Sequence, residues 1–268
     1  MTFALTQLFP ILYDAGKIMT GTHDDLKITE KPGSANYVTA YDIAVQQFLY
    51  DRLRALFPDA RFIGEESGDN HPELLKSGLT FIIDPIDGTT NFIYDFHHSC
   101  ISVGACLDGE MIAGAVYDPY LNELFSAARG EGAFCNGQPI RTTRNPLSHA
   151  LIAFGSSPYY RELADVTFET VKRFFLAGVD IRRCGSAALD LCYVACGRCD
   201  LFYEARLSPW DHAAGALIVS EAGGIVTDFA GNPPSLCEPS PVFAANPVAY
   251  DEGMALLNRQ YHAISSFI

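Results

Sequence analysis

The amino-acid sequence predicts an α+β protein built in stacked layers, and three observations carry that prediction. Helical and strand-like apolar patterns alternate along most of the chain. A run from Cys100 to Cys135 alternates apolar residues with turn signals and predicts an antiparallel meander. With 268 residues and 49 % hydrophobic residues, the chain is also long enough to bury a sizeable core.

Phe3, Leu8, Ile11, Leu12, Ala15 and Ile18 recur at helical spacing and predict an amphipathic helix over 3–20. Lys31-Pro32-Gly33-Ser34 reads as a loop. Thr39 to Phe57 reads as a long helix that ends at Pro58. Short strands are predicted at Arg61–Gly64 and Leu79–Ile83. Asp108-Gly109, Asp118-Pro119 and Asn136-Gly137 punctuate the meander. Beyond residue 150, strands at 151–154, 180–183, 200–204 and 225–228 alternate with helices near 162–176, 186–196 and 211–222. A strand at 242–245 and a helix over about 249–263 close the chain. One domain over 1–268 is expected, with a change of character near 148 separating an N-terminal half from a C-terminal half that completes the site.

Thirty-two acidic against 18 basic residues leave a net charge of −14, which argues against nucleic acid or an anionic membrane as a partner. Anions can still be substrates where metal ions supply local positive charge. The eight cysteines show no regular spacing and read as reduced thiols. No apolar run reaches the length of a membrane span, and no signal peptide is evident, so a soluble, cytoplasmic protein is expected.

The most informative stretch is Phe81-Ile82-Ile83-Asp84-Pro85-Ile86-Asp87-Gly88-Thr89-Thr90-Asn91-Phe92. Pro85 biases Asp84 away from helical geometry, so the strand is predicted to stop there. Asp87 stands where a helix N-cap would, and free N–H groups at Gly88, Thr89 and Thr90 would favour an anion such as phosphate. Two carboxylates beside an anion cradle repel each other unless a cation lies between them, and hard oxygen ligands suit Mg²⁺. An isolated pair of this kind is more often only a turn and a cap. Three further acidic sites shift the balance: Glu65-Glu66 after a short strand, Asp211 opening an apolar helix, and Asp42 on the first turn of the long helix. Together they predict a polynuclear metal site.

Gly64-Glu65-Glu66-Ser67, Asp84 to Phe92, and Trp210-Asp211-x-Ala213-Ala214-Gly215 resemble the inositol monophosphatase family. Lys31…Val38-Thr39-x-x-Asp42, Gly130-x-Gly132-Ala133-Phe134-x-Asn136-Gly137, Gly185-Ser186-Ala187-Ala188 and Glu221-Ala222-Gly223-Gly224 extend the resemblance over nearly the whole chain. It implies a layered α-β-α-β-α sandwich of the inositol monophosphatase and fructose-1,6-bisphosphatase type. It also implies Mg²⁺-dependent hydrolysis of a small phosphorylated polyol or sugar, and a homodimer. By the same resemblance, Glu65, Asp84 and the Ile86 carbonyl match the ligands of one metal. Asp84, Asp87 and Asp211 match those of a second, with Asp84 bridging, and Glu65 can hold a third ion. Thr89 and Glu65 match the pair that orients the attacking water, and Asp42 matches the acid beside that threonine. Gly88 and Thr89 match the phosphate-binding amides, while Gly185, Ala187 and Glu204 match contacts to the alcohol part of the substrate. Two metals about 3.5–4 Å apart would activate water directly, so no phosphoenzyme is needed.

The segment Gly88-Thr89-Thr90-Asn91-Phe92 looks more like the inositol type than the bisphosphate nucleotidase type, where lysine usually follows the threonine. Fructose-1,6-bisphosphatase and histidinol phosphatase stay open as relatives, with Arg182 or Arg183 available for a second phosphate. A non-catalytic regulatory protein on the same fold would be expected to lack an acid, and none is missing. Cys192-x3-Cys196-x2-Cys199 has the spacing of an iron–sulfur motif, but Cys192 and Cys196 fall on one face of an apolar helix and read as buried thiols. His97, His98 and Cys100 lack zinc-ligand spacing and read as structural or pocket-rim residues.

Overall fold

The computed structural model describes residues 3–22, 26–31, 36–67 and 70–261. The predicted first helix opens as a 3₁₀ turn at Leu5–Gln7, followed by α1 (Phe9–Met19), whose Pro10 sits in the first turn, where a missing N–H costs nothing. β1 (Thr29–Glu30) and β2 (Tyr37–Val38) form a small antiparallel ribbon. Residues 32–35, which include most of the predicted 31–34 loop, lie outside the described residues. Helix α2 (Ala40–Leu56) begins at a capping box: the Thr39 hydroxyl accepts from the Tyr41 and Asp42 amides, and Asp42 accepts from the Thr39 amide at 2.7 Å.

A seven-stranded sheet follows in chain order: β3 (Arg61–Gly64), β4 (Leu79–Asp87), β5 (Cys100–Leu107), β6 (Glu110–Asp118), β7 (Glu123–Ala128), β8 (Gly132–Cys135) and β9 (Gln138–Ile140). Only β3 and β4 run parallel; the rest is the predicted meander, extended by β9. The Asp108-Gly109 turn has φ of 52° and 88°, the left-handed pair that a two-residue hairpin requires. A short helix, α3 (Thr89–Ile93), leaves the end of β4.

The second sheet has five strands in the order β11-β10-β12-β14-β13. These are β10 (Leu151–Phe154), β11 (Asp180–Arg182), β12 (Leu201–Leu207), β13 (Ile225–Thr227) and β14 (Ser240–Ala245). Helices α4 (Ala164–Ala177), α5 (Ala187–Ala195), α6 (Pro209–Glu221) and α7 (Tyr250–Tyr261) complete the chain, and the last two residues of the predicted 249–263 helix lie outside the described residues.

Three apolar clusters cement five layers in the order α-β-α-β-α. Leu12, Val45, Leu49 and Phe81 join α1 and α2 to one face of the large sheet. Val116, Leu191, Phe202 and Ile218 hold α5 and α6 between the two sheets. Phe174, Tyr203, Phe243 and Leu257 seal α4 and α7 over the outer face of the small sheet. The middle layer is tight: a Cβ on Gly114 would lie 2.7 Å from the Ala214 carbonyl oxygen, so β6 can touch the backbone of α6 only through glycine. No helix among the described residues is long and apolar enough to cross a membrane.

Candidate active site

The site forms where β4, α3, α5 and the start of α6 meet. Asp84 pairs with Ser102 and Asp87 with Cys100, so β4 carries an extra residue between the two aspartates. The strand therefore does not stop at Asp84, as the proline suggested. Pro85 falls in a bulge, where its missing N–H is harmless. Residues three apart on a regular strand face opposite sides, and the bulge brings both carboxylates to one side. Asp87 is likewise not the helix cap. Gly88 holds that place, at φ 90°, and a Cβ there would meet the Gly185 and His98 carbonyl oxygens at 3.1 Å.

One oxygen each from Asp84, Asp87 and Asp211 lie within 4.8 Å of one another. Each acid is held by donors behind it. Asp84 accepts from the Ile86 amide at 3.0 Å. Asp87 accepts from the Ser186 hydroxyl at 2.6 Å and the Ala188 amide at 2.7 Å, and Asp211 from the Ser208 amide at 2.7 Å. Burial, and then the neighbouring acids, raise the Asp84 and Asp211 carboxyls well above the usual range; burial also raises Asp87 against the pull of Ser186. Three desolvated acids facing one point call for a cation, and an all-oxygen donor set fits Mg²⁺.

Glu65 follows β3 directly and lines the same cavity, outside that triplet. Its carboxylate lies 3.2 Å from Lys31 Nζ, which also binds Glu66 at 2.5 Å. Burial outweighs that lysine and pushes Glu65 up to about 7. The Thr89 hydroxyl lies 3.2 Å from Asp42 Oδ1 and 3.1 Å from the Ile86 carbonyl oxygen. Asp42 is fully buried, which raises it to about 6.

The cavity, of about 290 Å³, is lined by Lys31, Glu65, Asp84, Asp87, Asp211 and Glu204 among others. A second cavity of about 160 Å³ opens from it and adds Arg183, Gly185 and Ala187. Glu204 lies inside β12, which runs on to Leu207 past the predicted end at 204. Its Oε1 accepts from the Ser157 amide at 2.7 Å, and burial pushes it up to about 7. Arg182, in contrast, is exposed and engaged with Asp180.

Sequence reasoning passed over Ser186 and Ser157 as supports of acids, and gave Lys31 no partner. Ser186 had a local signal, a serine directly before an apolar helical run, where an N-cap belongs. Ser157 had none, because it reaches Glu204 across 47 residues of chain. All eight cysteines are free. Cys192 and Cys199 are buried, while Cys196, expected on the same buried face as Cys192, is half-buried where α5 ends. Among the described residues, the sulfurs of these three do not gather into a metal-sized cluster.

The layered fold and the converging acids beside a threonine hydroxyl define a phosphoric monoester hydrolase. The chain belongs to the inositol monophosphatase family, whose model matches residues 5–263. It is 43 % identical over 211 residues to Nus factor SuhB of Escherichia coli (strain K12), covering 78 % of each chain. Among solved structures, it resembles a Thermotoga maritima IMPase with a TM-score of 0.87 and 34 % identity, covering 97 % of this chain and 98 % of that one. It also resembles an IMPase/NADP phosphatase complexed with Mg²⁺ and phosphate, with a TM-score of 0.85, 26 % identity and 94 % of each chain covered.

Proposed function

We propose that the protein hydrolyses a small phosphorylated polyol or sugar, inositol monophosphate being the first candidate, by direct attack of water on phosphorus. The observation that carries this reading is the convergence of Asp84, Asp87 and Asp211 within 4.8 Å at the floor of a cavity. In this reading Asp84, Asp87 and Asp211 would hold one Mg²⁺, Glu65, Asp84 and the Ile86 carbonyl would hold another, and Glu65 would also hold a third. Mg²⁺ bound there supplies the positive charge that neutralises the phosphate and lowers the pKa of water. Thr89 and Glu65 orient the attacking water. Asp42 accepts from the Thr89 hydroxyl and so fixes where its lone pairs point. The Gly88 and Thr89 amides take a phosphate oxygen.

Glu204 faces the same cavities as Asp211, where it accepts hydrogen bonds from substrate hydroxyls next to Gly185 and Ala187. Because Asp84 and Asp211 come from opposite halves of the sequence, a single domain over 1–268 is part of this proposal. A homodimer, and a cytoplasmic location in keeping with free thiols, complete it.

Phosphate release from a panel of substrates tests the reading: inositol monophosphates, fructose 1,6-bisphosphate, a 3′,5′-bisphosphonucleoside and histidinol phosphate. Mg²⁺-dependent turnover highest on an inositol or sugar monophosphate supports it. A preference for the nucleotide or for the amino alcohol refutes the substrate class. No turnover on any of them favours a regulatory role, the alternative that similarity to a protein named as a Nus factor brings forward.

A further inference from the structure

Behind the phosphate loop lies a second cluster of a different chemistry. His98 precedes β5, Cys184 lies between β11 and α5, and Asp190 sits on the first turn of α5. A ring nitrogen, the thiol sulfur and a carboxylate oxygen of these three lie within 4.8 Å of one another. Asp190 is 1 % exposed. Its Oδ1 and the Nε2 of His98 are buried, with no hydrogen-bond partner among the described residues. Buried polar groups are almost always paired, so two such orphans in one cluster mark a place shaped for something else. Burial also keeps the His98 imidazole neutral, the form that binds metals.

We propose that His98, Cys184 and Asp190 form a metal site for Zn²⁺, distinct from the all-oxygen site of Asp84, Asp87 and Asp211. Nitrogen and sulfur donors select zinc over magnesium. Zinc ligands stand about 2.0–2.3 Å from the ion, so the donor atoms need close by no more than about 1 Å. Asp190 and Gly185 line the smaller cavity, which gives the ion a way in and leaves room for water as a fourth ligand. Burial holds both the Cys184 thiol and the Asp190 carboxyl toward their neutral forms, so on binding each gives its proton to solvent and the thiolate and carboxylate take the metal. The loops that carry the ligands are already tied together: Asn91 Nδ2 donates to the His98 carbonyl at 2.7 Å and to the Cys184 carbonyl at 2.9 Å. Those loops also form the wall against which Gly88 packs.

Co²⁺ added to the full chain in excess Mg²⁺ tests the site, because a thiolate ligand produces a near-ultraviolet sulfur-to-cobalt band that oxygen ligands cannot. The expected result is a band that saturates at one ion per chain, is displaced by Zn²⁺, disappears in Cys184→Ser and persists in Cys192→Ser. Asp190→Asn should weaken Zn²⁺ binding by at least about tenfold. In the unmutated protein, Zn²⁺ should shield Cys184 from alkylation, as read by peptide mass spectrometry, which requires no variant to fold. No band, a band that survives Cys184→Ser (as it would if Cys100 beside Asp87 were the ligand), or unshielded Cys184 overturns the proposal.

Discussion

Glu204→Gln offers a direct measure of how strongly the substrate end of the cavity is desolvated. The glutamate titrates at about 7 in the folded protein against 4.5 when free, because burial outweighs the two hydrogen bonds from Ser157. Between those values the folded state holds a proton that the unfolded chain has released. Stability from this group is therefore complete below about 4.5 and is lost as the pH rises through about 7. At about 1.36 kcal/mol per pH unit, the wild type should lose about 3 kcal/mol relative to the neutral variant across that window. The assay is urea unfolding in the presence of a chelator, for both proteins, near pH 5 and near pH 8. The variant should gain on the wild type at the higher pH by most of that figure, with similar slopes against urea. A difference that stays constant with pH would mean that Glu204 titrates as a solvated acid, and the desolvated pocket would be refuted.

Asp84→Asn should abolish phosphate release, yet without divalent ions its unfolding midpoint should not fall below that of the wild type, because it removes one of several buried, mutually repelling acids; a lower midpoint would contradict this. Thr89→Val keeps the shape but removes the hydroxyl between Asp42 and the Ile86 carbonyl, so kcat should drop by about a hundredfold or more. An unchanged kcat would remove Thr89 from the chemistry. A Cβ on Gly155 would lie 1.7 Å from Glu204 Oε2, so Gly155→Ala must displace that carboxylate. It should cost about 1–3 kcal/mol in kcat/KM on a polyol phosphate and much less on p-nitrophenyl phosphate. Equal losses on the two substrates would count against Glu204 as the hydroxyl acceptor.

Most elements were legible because they rest on local periodicity: β3 and β10 match their predicted spans, and the hairpin glycines fall where φ is positive. The layer order came from the family resemblance. The acids were legible as a set because three of them, Glu65, Asp42 and Asp211, directly follow a strand or open a helix. What the sequence hid was long-range or cooperative. Pro85 predicts that the strand ends at Asp84, but a bulge keeps the strand going to Asp87, since the neighbour β5 omits a residue opposite it. Ser186 reaches Asp87 across 99 residues, and Lys31 reaches Glu65 across 34; neither pairing leaves a trace in local spacing. His98 reads as a structural or pocket-rim residue and Cys184 as a plain reduced thiol for the same reason: their neighbourhood exists only once the β11–α5 loop folds against β5.

The bulge in β4 has a consequence for which changes the gene can accept. Side chains at 85 and 86 can be exchanged if they suit the kink, but the number of residues between Asp84 and Asp87 is fixed. Deleting one would leave an even ladder against β5, in which both aspartates still share a face but the kink between them is lost, and with it the Ile86 amide that donates to Asp84 and the Ile86 carbonyl beside Thr89. Insertions and deletions in this segment should therefore be purged far more strictly than substitutions, so that length outlasts composition.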